Sequence, residues 1–320
     1  MDYPDILRLN GHSNFVEDCC YSADSSRIVS CSGDQTVLLW DTQTGQKTQT
    51  IGKHDAEVWS CDFSPFGIYI CSASSDKTVR IWDQRVQGEV ATFKGHTKTV
   101  WSCTFHQSWS SWKLASASSD NSVKIWNWKT LSVEQTIENH QNNVDHVSFS
   151  NNGQSLVTCG RDWTVQILEN YSDKSERKLK ILAKHRSRVN YCCFSGTDDE
   201  LVLSCSDDRT VKVWDRVTLA NTKTFTGHLN NVWSCDTRPL GDRTILVSCS
   251  SDKTVRFWDM QDGSELRKIR TMDNEIESED QLLCCRFSPD MSQLAVCSNN
   301  GNLYLIEMRG IVQKMLEHFT

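Results

Sequence analysis

The chain of 320 residues contains no run of about 18 apolar residues, the length a membrane-spanning helix needs. Its opening, MDYPDILRLN, has neither a basic nor an apolar segment, so no secretory leader is expected. The expected compartment is the reducing cytoplasm, with the nucleus as an alternative. Cationic side chains are in deficit, since 34 Lys and Arg stand against 41 Asp and Glu for a formal net charge of -7. That balance disfavours nucleic acid as a partner, because phosphate binding needs a field of Lys and Arg. The motifs GxxxxGK[ST], HExxH and GxSxG, and a strand-borne GxGxxG, are all missing, so nucleotide, zinc-protease and hydrolase chemistry have no specific footing.

CxxC is missing too, although the chain has 15 cysteines. These recur instead of clustering: Cys19, Cys61, Cys103, Cys192, Cys235 and Cys285 share one repeat position, and Cys31, Cys159, Cys205, Cys249 and Cys297 share another. The adjacent pairs Cys19/Cys20, Cys192/Cys193 and Cys284/Cys285 fall in expected strands, where consecutive side chains point to opposite faces and cannot share a metal. The cysteines read as small packing residues, with no metal and no cofactor expected.

What is present is a repeat. His12, His54, His96, His140, His185 and His228 are each followed, 22 to 24 residues on, by Asp34, Asp76, Asp120, Asp162, Asp208 and Asp252. In five of these six units a Trp stands six residues beyond the Asp (Trp40, Trp82, Trp126, Trp214, Trp258). The period of 42 to 45 residues is that of four-stranded propeller blades. Within the second unit, EVWSCDFSP alternates and ends in a turn, YICSAS is a second short strand, KTVRIWD a third and GEVATFKGH a fourth. Seven first strands of this kind occur, the seventh unit being degenerate, with Ser298, Asn299 and Asn300 in place of Ser-Ser-Asp. Seven blades are expected.

Stretches such as GHTKTVWSCTF followed by SASSDNSVKIWN, and GHLNNVWSCDT followed by SCSSDKTVRFWD, resemble WD-repeat β-propellers over roughly residues 5 to 308. The resemblance implies one all-β domain over 1–320: a seven-bladed β-propeller of four-stranded antiparallel blades, closed by the N-terminal strand DILRLNGH, with a C-terminal tail at about 309–320. IVQKMLEHF near the C-terminus also reads as a fourth strand, leaving eight candidate outer strands for seven blades.

Each unit holds His, Ser or Thr, and Asp, the residue types of a hydrolase triad. Copied six times, they read as a structural network and not as an active site. The resemblance implies a buried hydrogen-bond chain through sets such as His54, Ser72, Asp76 and Trp82. Blade four, with Leu168 in place of Trp, has an incomplete set. No enzyme is expected.

The resemblance also implies that partners contact the wide face at positions three and five after the His and one before the Asp. Among these are Phe15, Glu17, Glu57, Trp59, Trp101, Asp145, Arg161, Arg188, Asn190 and Trp233, which make an aromatic rim suited to other proteins or peptides. The competing reading is that Trp59, Trp101 and Trp233 are packing residues, which burial distinguishes. Arg161 and Arg188 are candidates to clamp an acidic or phosphorylated ligand. A basic passage runs from Lys174 through Arg177, Lys178, Lys180, Lys184 and Arg186 to Arg188, an alternative site for an acidic or phosphorylated ligand or nucleic acid, and an acidic one covers Asp273, Glu275, Glu277, Glu279 and Asp280. Residues 70–85, ICSASSDKTVRIWDQR, resemble the WDxR box of propellers that dock onto a cullin-type ubiquitin-ligase adaptor, with Asp83 and Arg85 as docking residues and Cys71 where that box prefers a larger aliphatic side chain. The expected function is a monomeric, non-enzymatic protein-interaction scaffold.

Overall fold

The computed structural model describes residues 5–86, 88–182, 184–195, 199–270 and 280–319. Its strands form seven four-stranded antiparallel sheets. Six are consecutive in sequence, as in Val58–Phe63, Tyr69–Ser74, Thr78–Asp83 and Gly88–Lys94. The seventh is assembled from both ends of the chain: Ile6–Leu9 pairs with Leu303–Glu307, beside Gln293–Ser298 and Leu282–Phe287. Its register, Ile6 opposite Ile306 and Leu9 opposite Leu303, satisfies the backbone of a strand that would otherwise be an open edge.

IVQKMLEHF lies within a helix, Arg309–Phe319. The outer position of the seventh sheet is already taken by Ile6–Leu9, and the spacing of Ile311 and Met315 suits one helical stripe. Both bury against Ile245, Phe257, Leu294 and Ile306, at the seam between the sixth and seventh blades. What sequence analysis treated as a tail is thus docked on the ring.

The core lies between blades. Val29, Cys31, Val37, Leu39 and Ile51 of the first blade pack on Val58, Cys61, Phe63, Ile70 and Trp82 of the second. At the closing seam Ala295, Cys297, Leu303 and Leu305 meet Val16, Cys19, Ile28 and Trp40. No sheet can bury both faces alone, so each depends on its neighbours around the ring.

All seven first strands carry a register shift after their first residue, at Val16/Asp18, Val58/Ser60, Val100/Ser102, Val144/His146, Val189/Tyr191, Val232/Ser234 and Leu282/Cys284. Glu17, Trp59, Trp101, Asp145, Asn190, Trp233 and Leu283 stand at these bulges. A bulge bends its strand and re-aims the extra side chain. Here it turns those seven toward the channel mouth while the next residue also faces the channel.

Candidate partner-binding face and the channel beneath it

The repeated His, Ser/Thr and Asp are internal. In the second blade His54 Nδ1 lies 2.7 Å from Asp76 Oδ2 and Nε2 lies 2.7 Å from Ser72 Oγ, while Trp82 Nε1–H donates to Ser72 Oγ at 2.8 Å. The carboxylate accepts from Nδ1–H, so Nε2 accepts the serine proton and the serine oxygen accepts from the indole. The same set recurs at His12, His96, His185 and His228. In blade four, where Leu168 stands in place of the Trp, Thr158 Oγ1 keeps its bond to His140 Nε2 at 2.8 Å but has no indole to accept from. Burial alone would raise the Asp76 carboxyl, but hydrogen bonds from His54 and Thr78 outweigh it and hold the group well below the usual carboxylate range.

The degenerate seventh unit substitutes another buried polar set. Tyr304 O–H donates to Asp280 Oδ2 at 2.8 Å and accepts from Asn302 Nδ2 at 3.1 Å, while Arg8 Nε donates to Asn302 Oδ1 at 2.8 Å. Asp280 is therefore a structural group. Asp273, Glu275, Glu277 and Glu279 lie outside the described residues.

The aromatic rim residues are half-buried. Phe15 stacks on Trp59 at 5.3 Å between centroids, and Trp59 leans on Trp101 at 4.5 Å. Each indole is anchored by a serine one residue before the repeat Asp: Trp59 Nε1–H to Ser75, Trp101 to Ser119 and Trp233 to Ser251, at 2.7, 2.6 and 2.7 Å. Gly33 is required beneath Phe15, because a Cβ there would lie 2.4 Å from the ring.

Arg188 bridges the rest of the arc. Its guanidinium lies 5.8 Å from the Trp101 ring and 5.5 Å from the Trp233 ring, and it grips Asp145 through Nε at 3.0 Å and Nη2 at 3.1 Å. Arg161 reaches the same carboxylate at 3.5 Å and also lies over Trp101. The two cations proposed from sequence as an acidic-ligand clamp are thus brought together, but Asp145 already partners both. Asn190 is buried, donating to Asp207 and to the Val232 carbonyl. Glu17 is raised to about 7 by burial, against the pull of Arg188. Glu57 is exposed on the same face.

A cavity of about 490 Å³, open to solvent, lies inside this rim and is lined among others by Glu17, Trp59, Trp101, Arg188 and Trp233. Its lining also includes residues that sequence reasoning missed. Arg286 lies 4.5 Å from the Tyr191 ring and donates to Ser234 Oγ at 2.6 Å. His146 leans on Tyr191 at 4.1 Å between centroids and is lowered to about 3 by burial. Trp163 is a further omission: it stands at φ +68° in the turn after Asp162 and is 48% exposed on the wide face. The available signal was a Trp where other blades put Gln, Lys, Asn or Arg.

The basic passage is not one patch. Lys180 pairs with Glu169 at 2.9 Å, Arg177 donates to the Tyr171 carbonyl at 2.7 Å, and Arg188 belongs to the rim. Arg85 lies at the opposite end of its blade, exposed, with its Nη2 2.6 Å from Asp83 Oδ2.

A family profile described as the IFT122 first beta-propeller matches residues 15–307. The chain belongs to this family of WD40 β-propellers. Similar curated proteins include the nuclear distribution protein PAC1 of Komagataella phaffii, 31% identical over 102 residues, which are 32% of this chain and 20% of that protein. The WD40 repeat-containing protein smu1 of Dictyostelium discoideum is 44% identical over 41 residues, covering 13% of this chain and 8% of its own length. The small ribosomal subunit protein RACK1 of Schizosaccharomyces pombe is 51% identical over 41 residues, 13% of each chain. The matches thus span a fifth or less of each relative. WD40 propellers are generally non-enzymatic and bind other proteins. Among the described residues no helix is long and apolar enough to cross a membrane.

Proposed function

We propose that this WD40 propeller is a non-enzymatic docking platform that seats a partner peptide or protein segment across the channel mouth of its wide face. The observation that carries the reading is the arc Phe15, Trp59, Trp101, Arg188 and Trp233, half-exposed and held in place by Ser75, Ser119, Ser251 and Asp145. Large amphipathic side chains already fixed in one orientation lose little freedom on binding, which makes them effective anchors. Trp163 extends the surface outward. The expected result of Trp101→Ala is a loss of roughly 2 kcal/mol, or about 30-fold, in partner affinity. Affinity purification with wild type and a Trp59/Trp101/Trp233 triple alanine variant, each checked for native circular dichroism, tests it; equal capture of partners by both overturns the reading.

A second reading concerns the narrow face of blade two. Arg85 stands there beside the exposed Phe66 and Val86, on turns joined by a hydrogen bond from Gln84 N–H to the Ile68 carbonyl. An apolar patch with an exposed guanidinium suits an adaptor such as that of a cullin-type ligase. Co-purification of the adaptor with wild type and its loss with Arg85→Ala is the expected outcome.

A further inference from the structure

The residue that follows the first-strand bulge and faces the channel is Asp18, Ser60, Ser102, His146, Tyr191 and Ser234 in blades one to six. In blade seven it is Cys284, whose cross-strand partner is Cys297. Closure of the ring brings Cys19 of blade one against both, so that the three sulfur atoms lie within 4.8 Å of one another, all buried. Asp18 adds a carboxylate oxygen 3.2 Å from Cys284 Sγ. Among the described residues no other three such ligand atoms converge this closely. Elsewhere, as at Cys71 and Cys103, a seam pairs two thiols at 3.5 Å.

We propose that Cys19, Cys284 and Cys297, completed by Asp18, form a tetrahedral site for a zinc-class divalent cation at the seam where the ring closes. Zinc held by three thiolates and one carboxylate places its sulfurs about 3.8 Å apart and sulfur from oxygen about 3.5 Å apart. The sulfurs therefore need to contract by about 1 Å or less, and Asp18, near Cys284 but outside the three-sulfur cluster, must turn toward Cys19 and Cys297 to complete the set. As each metal–sulfur bond forms, any proton on that thiol passes to solvent; nothing is oxidised.

The cluster lies beside one guanidinium, Arg286, 3.4 Å from Asp18. A bound divalent charge favours the thiolate and carboxylate forms of its ligands. An entry path exists, because Asp18 and Cys284 line the cavity inside the rim. With all four ligands from protein the site is structural, stapling the first blade to the seventh.

The test uses the full chain, refolded under reducing conditions with Co²⁺ and, separately, Zn²⁺. One Co²⁺ per chain is expected, with a near-ultraviolet sulfur-to-cobalt charge-transfer band and the strong visible bands of tetrahedral cobalt. Zn²⁺ should raise the melting temperature above that of the chelator-treated chain. Cys284→Ser should weaken binding at least about tenfold, whereas Cys249→Ser, at a neighbouring seam, should not. A natively folded wild type that takes up no stoichiometric ion, a cobalt spectrum without the thiolate band, or equal loss in both variants overturns the site. Where Cys284→Ser does not fold, Asp18→Asn is read in its place: altered visible bands with the charge-transfer band retained support the site, and an unchanged spectrum removes Asp18 from it.

Discussion

At the residue scale, the six His–Asp pairs turn polar groups into cross-braces between the loop entering each blade and its inner strands. A buried donor or acceptor left without its partner costs roughly 1–3 kcal/mol, more than an intact bond contributes. His54→Ala leaves the Ser72 hydroxyl proton without its acceptor and removes one of the donors to Asp76, so a lower urea midpoint at neutral pH is expected. The six carboxyls, exemplified by Asp76, sit below their ordinary value of 3.8 in the folded chain. Their contribution is therefore present above that pH and lost as pH falls below it, because the unfolded chain then binds more protons. Raised acids such as Glu17 act the other way, losing stability as pH rises from 4.5 toward about 7. His185 and His228, lowered chiefly by burial, lose stability as pH falls below 6.5, which opposes Glu17 in that window. The steepest fall in melting temperature is expected below about pH 4, and a shallower one in His54→Ala, whose Asp76 has lost one of its donors.

At the element scale, the turn after each repeat Asp places a left-handed residue, from Gln35 at φ +75° to Lys253 at φ +67°, with Gly301 at the matching place in blade seven. The Asp carboxylate makes this tolerable by accepting the next strand's N–H and hydroxyl, as Asp76 does from Thr78 at 2.9 and 2.6 Å. The C-terminal helix is a different kind of element, held by one apolar stripe. Ile311→Ala should destabilise by about 2–4 kcal/mol if that stripe is integral to the seam. Chemical denaturation checks it, and a midpoint within error of wild type would mean the helix docks without stabilising the ring. The bulges are the elements that make the rim, since an unbulged strand would present only alternate side chains to the channel.

For the whole molecule, closure matters most. The strand Ile6–Leu9 supplies the outer edge of the seventh sheet, and Leu9 and Val16 sit in the core shared by blades seven and one. Deleting residues 1–10 should open the edge of Leu303–Glu307, lower the urea midpoint and promote dimers or larger species by edge pairing, visible by size-exclusion chromatography. A monomer with unchanged stability would contradict that account of the seam.

The sequence by itself determined the blade count and the inner strands of each blade, and its resemblance to WD-repeat chains supplied the inward roles of His, Ser or Thr, Asp and Trp. These properties repeat every 42 to 45 residues, so each copy reports the same local environment. The same resemblance pointed to Trp59, Trp101, Arg188 and Trp233, which line the cavity inside the rim. Only the tertiary structure decided what depends on blades meeting in space. Arg161 and Arg188 belong to Asp145 as well as to any ligand, and a run that could be a strand becomes a helix once the outer edge is filled. Asp18 reaches Cys284 across 266 residues of chain, with Cys19 beside it, only because the ring closes. Periodicity encodes what each blade does alone; contacts across the closing seam occur once in the molecule and leave no repeat to read.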